Sequence, residues 1–224
     1  MKPTPDLSVY LITDPGLCAE RGVVETVIAA ASGGATIIQL RDKHSSDQAL
    51  IEQGRRLRQA LRGTDARLIV NDRIQVARAI GADGVHLGQS DAAVERARAL
   101  LGADAIIGLS VQSVALARRV DPDLIDYVGV GPVFATATKA DHARPIGFDG
   151  LARICRVSPV PTVAIGGLQL EHVRATLAAG ADGLAVVSAI CAAADPRSAT
   201  RVLADAVEQC RRTRSPESQR PQSQ

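Results

Sequence analysis

The chain has 224 residues and a formal net charge of +2, so it is long enough to bury a substantial core and too weakly charged to suggest nucleic acid as a partner. Hydrophobic residues make up 46% of it and aromatic residues only 2%, which predicts a core of Ala, Val, Ile and Leu. The four cysteines are scattered without a C-x-x-C pair, which predicts reduced thiols and neither a zinc site nor a disulfide framework. No apolar run reaches the length of a membrane span, and we expect a cytoplasmic protein without a membrane partner.

Short segments rich in Val and Ile alternate along the chain with longer segments of helical apolar spacing. The predicted strands, in chain order, are 8–13, 36–38, 67–70, 84–87, 105–109, 125–130, 161–165 and 183–187. The predicted helices that follow them are approximately 23–32, 47–61, 74–80, 92–101, 112–120, 150–157, 171–179 and 196–211. Strands that are buried on both faces and separated by helices indicate a parallel sheet.

Eight such strand-then-helix units predict a closed (β/α)8 TIM barrel. The alternative is an open, doubly wound sheet, but no dinucleotide-binding fingerprint follows the first strand. We expect residues 1–210 to form this single catalytic domain. Residues 211–224 are polar and rich in Ser, Gln, Pro and Arg, which predicts a disordered tail.

The chemically distinctive side chains lie at or just after the carboxyl ends of the predicted strands, where the active sites of barrels lie. They are Gln39, Arg41, Lys43, Asn71, Asp72, Gln89, Asp91, Ser110, Thr136, Thr138, Lys139, Gly166, Gly167 and Ser188. The helix-to-strand turns at the opposite end are Gly-Ala-Asp connections without such groups. This asymmetry predicts a site at the carboxyl end of the barrel.

The segment 39–43 is central to this prediction. Side chains alternate along a strand, which places Gln39, Arg41 and Lys43 on one face and Leu40 and Asp42 on the other. The planar fork of an arginine and the point charge of a lysine suit an anion. A solvated strand end with ordinary surface charge is the alternative.

Two carboxylates, Asp72 and Asp91, occur beside the cations at this rim. Mg2+ binds through one or two carboxylates and completes its shell with water and substrate phosphates. The pair is therefore a predicted Mg2+ site for a diphosphate substrate. The alternative for Asp91 is an N-cap of the following helix.

The segment 131–148 is long for a strand-to-helix connection and is typical of a binding loop or lid. Its two hydroxyls, Thr136 and Thr138, and Lys139 suit a phosphate group. The Gly166-Gly167 pair and Ser188 follow the seventh and eighth strands, where barrels bind phosphate through backbone N–H groups. His86 lies within a strand and is predicted to be a hydrogen-bonded histidine of the barrel.

Six ordered motifs follow consecutive strands: 39–43 (QLRDK), 71–73 (NDR), 86–91 (HLGQSD), 108–110 (GLS), 131–139 (GPVFATATK) and 165–167 (IGG). Through them the chain resembles the thiamine-phosphate synthase family, from Tyr10 to Ile190. The resemblance implies an enzyme that joins 4-amino-2-methyl-5-(diphosphooxymethyl)pyrimidine to thiazole ethyl phosphate, giving thiamine phosphate and pyrophosphate. It implies a Mg2+ cofactor and small-molecule substrates.

The resemblance also assigns roles to residues. The pyrimidine diphosphate is expected at Gln39, Leu40, Arg41, Asp42, Lys43, Asn71, Ser110 and Lys139. The thiazole phosphate is expected at Thr136, Ala137, Thr138, Gly167, Val187 and Ser188. Asp72 and Asp91 are the expected Mg2+ ligands. The predicted catalytic residues are Arg41, Lys43, Ser110 and Lys139.

Two other functions remain open at this point. A thiazole tautomerase of the same barrel would transfer a proton and need neither metal nor diphosphate pocket, so the rim carboxylates and cations argue against it. A non-catalytic barrel that binds thiamine phosphates would bind its ligand without turnover. A homo-oligomer is compatible with the sequence, which does not determine the oligomeric state.

Overall fold

A computed structural model describes residues 4–89, 94–135 and 144–214, without the side chain of Arg214. Its parallel strands close into one barrel in sequence order, with the eighth strand pairing with the first. The strands are β1 Val9–Ile12, β2 Ile37–Leu40, β3 Arg67–Asn71, β4 Gly84–Leu87, β5 Ile106–Val111, β6 Tyr127–Val130, β7 Thr162–Ile165 and β8 Gly183–Val186. The predicted (β/α)8 barrel is confirmed.

Helices surround the barrel. They are α1 Val23–Gly33, α2 Asp47–Ala60, α3 Ile74–Ile80, α4 Val94–Leu101, α5 Val114–Ala117, α6 Gly147–Cys155, α7 Val173–Ala178, α8 Ser188–Cys191 and α9 Pro196–Arg214. A 3-10 turn, Leu170–His172, precedes α7. Within the described ranges no helix is both long and apolar enough to cross a bilayer.

Four helices differ from the sequence prediction. The sixth, Gly147–Cys155, begins before the predicted 150–157. The fifth is a single turn of four residues rather than the predicted 112–120. A short helix, α8, begins at Ser188 directly after β8 and was not predicted. The last helix continues to Arg214, four residues past the predicted domain end at 210, and residues 215–224 of the predicted tail lie outside the described residues.

Alternation along the strands divides the core into two layers. Outward-facing side chains such as Leu11, Ile38 and Val70 pack against the helices. Inward-facing side chains fill the barrel: Tyr10, Ile12, Ile37, Ile69, Ile106, Tyr127, Val163 and Ala185. Both tyrosines of the chain therefore lie inside the barrel.

Aspartates close the amino end of the barrel. Asp83, Asp126 and Asp182 each precede a strand, and each carboxylate accepts the backbone N–H of a residue in the neighbouring strand, from Leu68 at 2.8 Å, Ile107 at 2.7 Å and Thr162 at 2.8 Å respectively. These bonds satisfy N–H groups that the sheet leaves unpaired at its edge. These turns, two of which read Gly-Ala-Asp, thus connect neighbouring strands at the amino end and leave the carboxyl end for a site.

Candidate active site

The carboxyl ends of the strands surround a cavity of about 400 Å³. This cavity is lined by most of the described residues that the sequence analysis assigned to the site. They are Gln39, Arg41, Lys43, Asn71, Asp72, Ser110, Gly167, Val187 and Ser188. They come from β2, β3, β5 and the loops after β7 and β8. The barrel therefore brings together residues that are up to about 150 positions apart in the sequence.

Two of the predicted residues are not part of the lining. The Leu40 side chain is 1% exposed and packs in the outer layer between barrel and helices. The Asp42 carboxylate accepts hydrogen bonds from the backbone N–H groups of His44 and Ser45 and from the Ser45 hydroxyl. Although partial burial acts to raise it, the pKa of Asp42 is lowered overall by these bonds, the Ser45 hydroxyl first. Leu40 and Asp42 thus shape the loop and do not line the cavity.

Other predicted residues cannot be located. Asp91, Thr136, Ala137, Thr138 and Lys139 lie outside the described residues. Their assignment therefore stays a prediction.

The end of β2 is tied to β1 through Thr13. The Thr13 backbone N–H donates to the Gln39 carbonyl at 2.9 Å, and the Arg41 N–H donates to the Thr13 hydroxyl at 3.0 Å. Arg41 is half-buried and Lys43 is exposed, and neither forms an ion pair with any carboxylate in the described part of the chain. Both charges are therefore available to an anion in the cavity.

The end of β3 has an unusual backbone. Asp72 has φ +61°, the single described non-glycine residue with a positive φ, and its N–H donates to the His86 carbonyl at 2.9 Å. The Asn71 side-chain amide donates to the Asp72 carboxylate at 2.7 Å. Aspartate tolerates this left-handed conformation better than most residues, but it is still uncommon and occurs often at functional sites. The local geometry turns a carboxylate toward the cavity.

The loops after β6 and β7 are joined beyond the sheet. Val133 N–H donates to the Ile165 carbonyl at 2.9 Å, and Phe134 N–H donates to the Gly166 carbonyl at 3.0 Å. Gly166 has φ +106°, and a Cβ there would lie 2.7 Å from Pro132 Cα. Only glycine permits this approach. The Gly166-Gly167 pair thus positions the start of the long loop after β6.

Aromatic rings stabilise the same region. Phe134 and Phe148 flank the long loop, and their rings meet edge to face with centroids 5.2 Å apart. The His172 ring lies 4.7 Å from that of Phe134, and its Nδ1 accepts the Gln169 N–H at 3.0 Å. These are both phenylalanines of the chain, and their contact joins the residues after β6 to the start of α6.

A chain of hydrogen-bonded side chains crosses the floor of the cavity. Gln39 Nε2 donates to the Tyr10 hydroxyl at 2.7 Å, which lies 2.8 Å from the Tyr127 hydroxyl. The Tyr127 hydroxyl lies 2.9 Å from His86 Nδ1, and His86 Nε2 lies 3.0 Å from Ser110 Oγ. The predicted hydrogen-bonded barrel histidine is confirmed. Burial raises the pKa of both tyrosines, and for Tyr127 the neighbouring Tyr10 raises it further; both phenols are therefore neutral.

The sequence analysis did not assign the tyrosines to the site. Two signals could have found them: they are the only tyrosines of the chain, and glycines stand at the neighbouring inward positions. A Cβ at Gly108 would lie 2.1 Å from Tyr127 Cζ, and one at Gly129 would lie 3.0 Å from His86 Cε1. The two glycines thus leave the space that the rings occupy.

A closed parallel barrel with cations, a carboxylate and glycine loops gathered at its carboxyl end is the architecture of a (β/α)8-barrel enzyme. Comparison with known proteins defines the family within that class. The family model described as thiamine monophosphate synthase matches residues 9–190. The chain belongs to this family of enzymes, as its motifs predicted.

Individual relatives agree. The chain is 50% identical over 200 residues to the thiamine-phosphate synthase of Psychrobacter sp. (strain PRwf-1), covering 88% of this chain and 93% of that one. It is 50% identical over 207 residues to the thiamine-phosphate synthase of Azorhizobium caulinodans, covering 92% and 98%. The solved structure of thiamine phosphate pyrophosphorylase from Pyrococcus furiosus superposes with a TM-score of 0.83 at 40% identity, covering 92% of this chain and 98% of that one.

Proposed function

We propose that this enzyme condenses 4-amino-2-methyl-5-(diphosphooxymethyl)pyrimidine with thiazole ethyl phosphate, giving thiamine phosphate and pyrophosphate. The observation that carries the proposal is that one cavity has two separate regions whose groups are suited to anions. Arg41 and Lys43 lie at the end of β2, while Gly167 and Ser188 lie on the loops after β7 and β8. Two regions match a reaction between two phosphorylated substrates.

The first region would hold the pyrimidine diphosphate. The Arg41 fork and the Lys43 ammonium pair with the diphosphate, and the side-chain amide of Asn71 is within the same lining. Gln39 and Ser110 lie on the cavity floor and offer hydrogen bonds to the pyrimidine ring. Lys139 joins this group on the strength of the sequence motif.

The second region would hold the thiazole phosphate. Glycines at 166 and 167 leave their backbone exposed to the cavity, and α8 begins at Ser188. Backbone N–H groups at such turns bind phosphate without a cation. Thr136, Ala137 and Thr138 would complete this region from the long loop after β6.

A Mg2+ ion fits the donor chemistry at the end of β3. The Asp72 carboxylate faces the cavity beside an amide side chain and near the cations that would hold the diphosphate. Mg2+ takes few protein ligands and completes its shell with substrate oxygens and water. Asp72 and Asp91 would hold it. When bound, Mg2+ would neutralise part of the diphosphate charge.

The proposed mechanism is a dissociative substitution. The bond between the pyrimidine methylene carbon and the diphosphate oxygen breaks, and its electron pair leaves with pyrophosphate. The ring amino group stabilises the resulting carbocation, and the thiazole nitrogen donates its lone pair to form the new carbon–nitrogen bond. Arg41, Lys43 and Lys139 would stabilise the charge that develops on the leaving group, while Ser110 would orient the ring.

The test is pyrophosphate release by the purified protein with the pyrimidine diphosphate, with and without thiazole phosphate and Mg2+. We expect release that depends on both, together with thiamine phosphate. Arg41→Met is expected to lower turnover by about 100-fold because it removes a charge from the leaving-group site. Arg118→Met is the matched control, since Arg118 is exposed and absent from the cavity lining. Ligand binding without turnover in the wild-type protein would contradict the proposal.

A further inference from the structure

The chain of hydrogen bonds on the cavity floor joins the two side chains that the proposed function assigns to the pyrimidine ring. Gln39 is at one end and Ser110 at the other, with Tyr10, Tyr127 and His86 between them. Gln39 is 2% exposed, and the two tyrosines are 1% and 0% exposed. The bonds from Gln39 to Tyr10 and from Tyr10 to Tyr127 are therefore buried, whereas the two bonds of His86 are partly buried beside the cavity.

Counting protons along the chain gives it one direction when each hydroxyl proton is used within the chain. The Gln39 amide donates to Tyr10, so the single proton of the Tyr10 hydroxyl is left for Tyr127. The Tyr127 hydroxyl then has its own proton to donate to His86 Nδ1, and an imidazole that accepts at Nδ1 carries its ring proton on Nε2. His86 Nε2–H therefore donates to Ser110 Oγ.

The direction has a consequence at both ends. At one end, the Gln39 amide group is used for Tyr10, so its carbonyl oxygen is the atom left to accept from a ligand. At the other end, Ser110 Oγ accepts from His86, so its own O–H is left to donate. The two ends have opposite polarity, and a reversal at one end would require every link between them to reverse.

We propose that Tyr10, Tyr127 and His86 are positioning residues that fix an acceptor at Gln39 and a donor at Ser110 and thereby select an aminopyrimidine. The inference rests on the proposed function of the site. A 4-aminopyrimidine has an amino donor beside a ring-nitrogen acceptor, which complements these two ends. A 4-oxopyrimidine has a carbonyl acceptor beside a ring N–H donor, which presents the reverse pattern.

The packing around the chain holds its members in place. Because Gly108 and Gly129 have no side chain, the Tyr127 and His86 rings can occupy the space beside them. A Cβ at Gly108 would be 2.5 Å from His86 Nδ1. The two tyrosine rings are in contact, with centroids 5.9 Å apart. Buried rings in such contacts cannot rotate their polar atoms toward other partners without loss of packing.

The first test is Tyr127→Phe, which cuts the chain at its centre and keeps the ring. We expect the ratio of kcat/KM for the 4-amino substrate to kcat/KM for its 4-oxo analogue to fall by about 10-fold, because each end is then free to reverse. Tyr10→Phe, which cuts the chain beside Gln39, is expected to lower the same ratio. A purely structural defect would reduce both kcat/KM values together, and an unchanged ratio in both variants would overturn the proposal.

Thr176→Val is the matched control. Thr176 is 0% exposed and its hydroxyl has no hydrogen-bond partner in the described part of the chain, so this variant deletes a buried hydroxyl away from the cavity. We expect its ratio to equal that of the wild type.

A second measurement does not depend on turnover. Nitrogen-15 NMR of labelled histidine distinguishes the two neutral tautomers, and the chain has four histidines to assign. We expect His86 to carry its proton on Nε2 in the wild type and to populate both tautomers in Tyr127→Phe. A wild-type His86 protonated on Nδ1 would overturn the inferred direction. If the wild-type enzyme instead forms no thiamine phosphate, the proposed function fails, and the tautomer still decides the inference about the chain.

Discussion

The backbone N–H of Arg41 donates to the side-chain hydroxyl of Thr13 over 3.0 Å, and this bond connects the ends of β1 and β2. Thr13 is 1% exposed, and its own N–H donates to Gln39 two residues before Arg41. A single threonine therefore fixes the path of the backbone through the proposed diphosphate site. Arg41 owes its position to β1 as well as to its own strand.

Thr13→Val is expected to weaken binding of the pyrimidine diphosphate. Valine keeps the shape and removes the acceptor, which leaves the Arg41 N–H unpaired at a cost of about 1–3 kcal/mol. We expect KM for the pyrimidine diphosphate to rise about 10-fold while KM for the thiazole phosphate stays near its wild-type value. Thr176→Val is the control for loss of a buried hydroxyl, and equal changes in both KM values would argue against a local effect at Arg41.

Much of the fold follows from the sequence because each barrel unit repeats the same local signals. Apolar β-branched runs mark the strands, and the spacing of Leu and Val marks most helices. The fifth helix was predicted too long, and the short α8 was not predicted, since one helical turn has too few residues to show a period. Ser188 was placed correctly at the rim but was not recognised as the first residue of a helix.

The site, like the fold, has some features that the sequence predicts and others that it does not. Alternation along β2 was enough to place Gln39, Arg41 and Lys43 toward the cavity and Leu40 away from it. The bond between Tyr10 and Tyr127 joins residues 117 positions apart, and no local pattern reports a contact between opposite sides of a barrel. The sequence thus predicted most of the described residues that line the rim but not which ones are connected on the floor.

Asp72→Asn tests the carboxylate at the end of β3. Asparagine also tolerates a positive φ, so the variant should keep the backbone conformation and lose only the negative charge. If Asp72 holds Mg2+, we expect turnover to fall by about 100-fold or more and the Mg2+ concentration for half-maximal activity to rise. Asp205→Asn, an exposed change on α9, is the control. Full activity of Asp72→Asn at the wild-type Mg2+ concentration would remove Asp72 from the metal site.

Gly166→Ala separates backbone strain from steric overlap. Gly102 has φ +88° and no heavy atom within 4 Å of a Cβ built there, so Gly102→Ala measures strain alone, expected at about 1–2 kcal/mol. At Gly166, with φ +106°, the added Cβ would also overlap Pro132, which should cost a further 1–3 kcal/mol or so. Urea unfolding of both variants gives the difference. Equal losses would mean that the loops after β6 and β7 separate easily.

The buried tyrosine pair predicts a loss of stability at alkaline pH. In the folded chain burial raises the pKa of Tyr10 and Tyr127 above the ordinary 10.0, whereas in the unfolded chain both phenols ionise near that value. Above about pH 10 the unfolded state therefore binds fewer protons than the folded state, and the free energy of unfolding falls by about 1.4 kcal/mol per pH unit for each tyrosine. Below pH 10 the contribution is complete and does not vary.

Tyr127→Phe removes one of the two groups, so its unfolding free energy should fall less steeply than that of the wild type, while the two slopes agree between pH 7 and pH 9, roughly the range in which neither phenol titrates. Because the chain has two tyrosines and no tryptophan, ultraviolet absorbance of tyrosinate reports these groups alone. Ionisation near pH 10 in the folded protein would show that the pair is open to water.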